Sequence, residues 1–184
     1  MKIYKPTTIS FLLLLTGCPG LLPGSLPYQP LPKWERQFFE KADRYIYPND
    51  VRKSPEKYEK TLVVWTGIIK NITIDTENGS QIARFKIEHH YFDWIEDQGI
   101  QREMYFLSPR GEGLFALAWP VDTQDNKLFI KQFAVDDMII AYGYPSMIKG
   151  NLIGFYPTQN IRAIKPKWFR TDMLDYGRLG EPVK

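Results

Sequence analysis

Glu88-His89-His90-Tyr91-Phe92-Asp93-Trp94-Ile95-Glu96-Asp97 gathers both histidines of the chain and four carboxylates into one short stretch, a composition that invites metal or acid–base chemistry. The spacing argues against a shared metal. Adjacent strand residues point to opposite faces, so His89 and His90 converge on one ion only across a bulge or turn. There is no third histidine, and Cys18 is the sole cysteine, which leaves a nitrogen–sulfur zinc site short of ligands. Asp93, Glu96 and Asp97 offer oxygen to Ca²⁺, but the alternating acids and central glycine of an EF-hand loop are missing. The expectation is therefore no metal and no cofactor.

Two carboxylates at a defined separation around a cleft would serve glycoside hydrolysis. Glu88, Asp93 and Glu96 are the acids that a membrane-tethered hydrolase of cell-wall or glycan substrates would use, yet nothing in their spacing fixes such a cleft. No G-x-S-x-G elbow is present to place a serine nucleophile. Ser108-Pro109-Arg110-Gly111-Glu112-Gly113 is glycine-rich but lacks the lysine and hydroxyl of a phosphate-cradling loop, and reads as a turn. Arg102, Arg110, Tyr105 and Trp119 could be cast as a single-strand nucleic-acid groove, against which stand the near-neutral charge and the acidic aromatic stretch. The chain is thus expected to be neither an enzyme nor a nucleic-acid binder. Tyr91, Phe92 and Trp94 then have two readings, a contact surface for a partner or aromatics that plug the mouth of a barrel while the acids stay solvated.

The elements that must position these residues are mainly β. From Thr61 onward, β-branched and aromatic runs alternate with turn residues, the pattern of an all-β sheet or barrel. TLVVWTGIIKNITI is the first strand, and Asn78-Gly79 reverses the chain into QIARFKIEHHYFDWI. There Ala83, Phe85 and Ile87 alternate with Arg84, Lys86 and Glu88, as in a strand with one wet face. Further strands are predicted over 102–108, 113–120, 127–133, 138–145 and 151–157, with a short closing piece at 161–164. Gly67, Gly143 and Gly154 lie inside apolar runs, where glycine marks bulges or sharp bends, and their repetition favours a curved barrel over a flat sandwich. Trp34, Phe38, Ala42 and Tyr45 recur at helical spacing. They predict one amphipathic helix over 34–47, ended by Pro48, with its apolar stripe packed on the domain and Glu40 able to pair with Arg44. The tail holds no clean strand pattern; its Trp168, Phe169, Leu174 and Tyr176 are expected to cover a barrel edge, and 180–184 to be flexible.

The amino terminus has a basic start at Lys2 and Lys5, an apolar stretch from Ile9 to Leu15 and small residues at Thr16-Gly17, which together make a secretory signal. A membrane-spanning helix needs roughly 20 apolar residues, more than this stretch supplies. Residues 18–33 contain prolines at 19, 23, 27, 30 and 32 and read as a tether. Extended at about 3.1 Å per residue it reaches roughly 50 Å. In the competing reading, Leu21, Leu22, Leu26 and Leu31 dock on the domain.

Leu15-Thr16-Gly17-Cys18 resembles, position by position, the bacterial lipoprotein lipobox. The resemblance implies a diacylglycerol on the Cys18 thiol, cleavage that removes 1–17, and a newly exposed amino group that is commonly acylated. Two or more chains give stable attachment where one does not, so the membrane becomes a partner through covalent lipid. Pro19 stands where the enterobacterial inner-membrane retention signal has aspartate. In a Gram-negative cell this implies the outer membrane, and in a Gram-positive cell the outer face of the plasma membrane. Removing Lys2 and Lys5 with the signal takes the 24 basic residues to 22 against 21 acidic, a side-chain net charge of +1. The remaining length fits one domain with a sizeable core.

Trp65, Gly67, Ile68 and Ile69 in the first strand, Gly143 in a later one, and Ile153-Gly154 with Tyr156-Pro157 near the end resemble the Slp-type outer-membrane lipoproteins. The likeness spans about residues 58–164. It implies a small OB-like β-barrel, here assigned with its C-terminal extension to 58–179, and attachment to the outer membrane. The 88–99 stretch, the 107–120 segment and the preceding helix have no counterpart in that family's pattern. The expected function is a noncatalytic envelope lipoprotein whose barrel binds a protein or another envelope component.

Overall fold

A computed structural model describes residues 25–77, 79–97 and 104–171. The expected signal at 1–17, Cys18, Asn78, Arg102, Leu174, Tyr176 and the 180–184 tail lie outside the described residues.

Along the chain come β1 (Ser25–Pro27), α1 (Lys33–Phe39), α2 (Pro48–Lys53), α3 (Pro55–Tyr58), β2 (Val63–Glu77) and β3 (Ser80–His89). They are followed by β4 (Phe92–Asp97), β5 (Met104–Leu107), β6 (Leu114–Pro120), α4 (Gln124–Ile130), β7 (Met138–Lys149), β8 (Leu152–Ile164) and β9 (Phe169–Arg170). The protein is mainly β. Five strands pair in the order β2-β3-β6-β8-β7, and β7 pairs back onto β2, so this sheet closes on itself. All its pairings are antiparallel except β6 with β8. A second sheet, β1-β4-β5-β9, lies against it.

Sequence pattern follows burial closely. In β3, Ala83, Phe85 and Ile87 point into the closed sheet while Arg84 and Lys86 face solvent, the expected alternation. In β2 and β7 the runs VVWTGII and MIIAYGY do not alternate, because both their faces are covered. Val63, Trp65 and Ile69 enter the core inside the closed sheet. Val64, Met138, Ile140 and Tyr142 enter a second core, shared with Tyr28, Phe92, Tyr105 and Leu107 of the outer sheet.

Five expectations are corrected. The helix over 34–47 stops at Phe39, and Pro48 opens α2 instead of ending α1. The chain leaves the helix because the Asp43 backbone bridges β2: its N–H donates to the Leu62 carbonyl at 2.9 Å and its carbonyl accepts from Val64 at 3.2 Å. The intended apolar stripe is broken with it, since Trp34 and Tyr45 are exposed and the buried side chain of α1 is Glu35. Arg44 lies over the Phe39 ring, 4.9 Å from its centroid.

The tether is also shorter than 18–33. Ser25–Pro27 pairs with β4 and Tyr28 is buried, so the domain begins by Ser25. Residues 127–133 belong to α4 and its exit, not to a strand. The Thr123 hydroxyl accepts from the Asn126 N–H at 3.1 Å and starts the helix, and Phe129, Ile130 and Phe133 turn onto the inner core while Leu128 is exposed. Finally, 151–157 and 161–164 are one strand, β8, and the 81–95 segment divides into β3 and β4.

Of the three strand glycines, Gly143 sits at a register shift between β7 and β8. Gly67 serves a close approach: a Cβ there would lie 2.2 Å from the Glu88 carbonyl oxygen.

Candidate functional site

His89 and His90 end β3 and point to different partners, as strand geometry requires. The His89 ring packs edge-on against Tyr47 and Tyr91, and its Nδ1 lies 3.1 Å from the Glu112 N–H and accepts from it. His90 Nδ1 lies 2.9 Å from the Ser108 carbonyl, an acceptor, so Nδ1 carries the proton. Its Nε2 is 3.5 Å from Glu88 Oε2, near enough for Coulomb attraction to a charged ring but without hydrogen-bond geometry. Glu88 faces outward and binds Lys70 at 2.7 Å; that hydrogen bond holds its carboxyl below the usual range. Asp93 is half-buried, and burial pushes its pKa up. Among the described residues no three histidine, cysteine or acidic side chains are grouped to hold a metal.

The 108–113 segment does more than turn. It folds over the end of β3 so closely that a Cβ on Gly111 would lie 1.6 Å from the His89 carbonyl oxygen. Glu112 is buried, and its carboxylate accepts from the Asn49 N–H at 2.6 Å and the Tyr91 hydroxyl at 2.7 Å. The Arg52 guanidinium donates to the carbonyls of Glu112 at 2.7 Å, Leu114 at 2.9 Å and Asn151 at 3.1 Å. One arginine on α2 thereby ties the loop to the β7–β8 hairpin.

A second polar knot escaped sequence reasoning. Glu35 is 0% exposed. Its Oε1 accepts from the hydroxyls of Tyr28 and Tyr142, the latter at 2.9 Å, and its Oε2 lies 3.3 Å from Arg162. Arg162 also donates to the Tyr28 hydroxyl at 3.1 Å and the Tyr105 hydroxyl at 3.2 Å. Burial, followed by Glu35 at Tyr28 and by Tyr28 and then Glu35 at Tyr142, raises both phenols far above the ordinary tyrosine range. Burial opposes charge on Arg162, but Tyr28, Tyr105 and Glu35 outweigh it and hold the guanidinium protonated. In WERQFFEK, Glu35 reads as the wet face of a helix; the available signal was the arginine inside the apolar strand sequence IRAI.

Of Tyr91, Phe92 and Trp94, read either as a contact surface or as aromatics plugging a barrel mouth, the first two are buried and so do not present a surface. Tyr91 and Phe92 are 8% and 3% exposed, and Phe92 packs with Tyr28 and Tyr105 in the second core. Trp94 is half-buried against Tyr28 and Phe39. Tyr105, cast for base stacking, is buried, and Trp119 stacks on Phe129.

What faces outward is a groove of about 460 Å³ between β6 and the β7–β8 hairpin. Ala116 and Ala118 form its floor, Met147 and Ile148 one wall, and Tyr156, 80% exposed, stands at its edge. Arg84 borders it, held by Glu77 and by Asp75 at 3.3 Å. Gly154 lets Ile148 fold down, because a Cβ there would lie 2.4 Å from the Ile148 Cδ1. The hollow is mainly apolar, with two aromatics, Phe155 and Tyr156, and one held cation, Arg84, in its lining. No protein-family model and no curated protein matches this chain.

Proposed function

We propose that the chain is a lipid-anchored, noncatalytic envelope protein of Slp-like type. Its OB-like barrel binds a protein or envelope component in the groove of Ala116, Met147, Ile148 and Tyr156. The observation that carries the binding reading is this groove, where Met147 and Ile148 of β7 and Tyr156 of β8 are left open to solvent together. The OB-like assignment is supported by the pairing order β2-β3-β6-β8-β7, the parallel β6–β8 pair and the helix α4 between β6 and β7. The noncatalytic reading is supported by the use of Glu112 and Glu35 as internal acceptors for neighbouring groups.

Attachment rests on Leu15-Thr16-Gly17-Cys18 and tests separately. Cys18→Ala should abolish metabolic labelling with palmitate and release the protein from the membrane fraction; unchanged membrane association would overturn the anchor. For the groove, a photo-crosslinking residue at 156 should capture one stoichiometric component in intact cells, and Ile148→Asp should abolish that capture. Crosslinks that survive Ile148→Asp would remove the groove from the function.

A further inference from the structure

A different hollow of about 540 Å³ opens where α4 crosses the end of the closed sheet. Its floor is the inner core itself: Val121, Ile130 and Phe133, all less than one-tenth exposed. Its lip is Ile74, 58% exposed on the overhanging β2–β3 hairpin. The rim is cationic. Lys127 and Lys131 fall four residues apart, on one side of α4 and its exit. Neither ammonium has an ion-pair partner among the described residues, and Asp122, at the neighbouring strand end, accepts from the Gln81 N–H at 2.8 Å. Apolar depth with a cationic rim matches a ligand that is apolar along its length and anionic at one end. The volume lies within the range of small-molecule sites, about 300–1,000 Å³.

We propose that this hollow binds a free single-chain carboxylate amphiphile, a long-chain fatty acid, with the chain over Ile130 and Phe133 and the carboxylate between Lys127 and Lys131. The site is separate from the Tyr156 groove and stands or falls without it. The fatty acid and its alcohol differ in head-group charge, so a site that holds the head between Lys127 and Lys131 discriminates between them, whereas partition of the chain onto apolar surface alone does not. The same dependence makes binding weaken as salt rises.

The test uses the full chain in zwitterionic nanodiscs, with palmitate carrying a diazirine near its methyl end as the probe. Adducts should be saturable, map by mass spectrometry to Val121, Ile130 and Phe133, and be competed by unlabelled palmitate. Lys127→Glu with Lys131→Glu should weaken labelling about tenfold or more through charge repulsion, and the matching diazirine alcohol should label no better than that variant. Ile74→Glu, on an exposed lip and remote from the rim lysines in sequence, should weaken labelling while leaving the unfolding midpoint unchanged, which keeps the test valid if the double variant misfolds. Absent or scattered adducts, equal labelling by the alcohol, or labelling indifferent to Ile74→Glu would overturn the proposal. So would displacement of palmitate by anionic-phospholipid nanodiscs, which would make the site a bilayer contact.

Discussion

Glu35 is the single acceptor that joins Tyr28, Tyr142 and Arg162, so its removal leaves a part-buried cation and two buried phenols short of a partner. Breaking a buried pair from one side typically costs about 3–5 kcal/mol. Glu35→Ala should therefore lower unfolding stability by about that amount in denaturant titration, and a loss near zero would show the knot to be inert. Asp93 gives a pH signature of opposite sign to that of an ion-paired acid. Burial raises its folded pKa above the unfolded value, so charging it disfavours the fold as pH rises through the folded pKa, and the cost is absent below the unfolded value near 3.8. Asp93→Asn should raise the melting temperature at pH 7 and leave it unchanged at pH 3. Glu88 behaves the other way, since the Lys70 hydrogen bond depresses its pKa and that contribution is lost as pH falls through the folded value.

Among the elements, the Arg52 tie between α2, the 108–113 loop and the β7–β8 hairpin has a distinct readout. Arg52→Ala should accelerate amide exchange at Tyr91 and Ser108, whose N–H groups hydrogen-bond across that loop, while β3 amides paired with β6 stay protected. Uniform exchange across both regions would mean that the loop and the closed sheet open as one unit. The strands were legible because their side chains obey a period set by burial, visible in Ala83, Phe85 and Ile87. α4 was not, because KLFIKQF alternates as well as it turns, and only the Thr123 cap and the position of Phe133 decide for helix. α1 was overextended because Ala42 kept helical spacing although the Asp43 backbone was already committed to β2. The candidate site was less legible still. Tyr91 and Phe92 look alike as interface anchors or core, and Glu35 is indistinguishable from a solvated acid until Arg162, 127 positions away, arrives beside it. The groove around Tyr156 depends on Ala116, Ala118 and Gly154, small residues that announce nothing singly.

At the scale of the whole molecule, the second core changes the geometry that the proposed attachment at Cys18 would have. With Ser25 already paired in the outer sheet, residues 19–24 separate the Cys18 position from the fold. Seven Cα steps span at most about 25 Å, half the reach of a tether running to Lys33. Fluorescence transfer from a membrane dye to a label at Thr171 should change little when residues 29–33 are lengthened by a few glycines, and substantially when 19–24 are; the reverse result would detach β1 from the outer sheet.

The three β1–β4 rungs also acquire a mechanical meaning. If Cys18 carries the proposed lipid and the groove its proposed partner, tension between them would enter the fold at Ser25, load Ser25↔Asp97, Leu26↔Glu96 and Pro27↔Ile95, and pass next to Tyr28 and its Glu35 contact. The buried charge knot is thus the second fastening behind a short strand. A pull strong enough to peel β1 would meet it next and pass through Tyr142 and Arg162 onto β7 and β8 of the closed sheet.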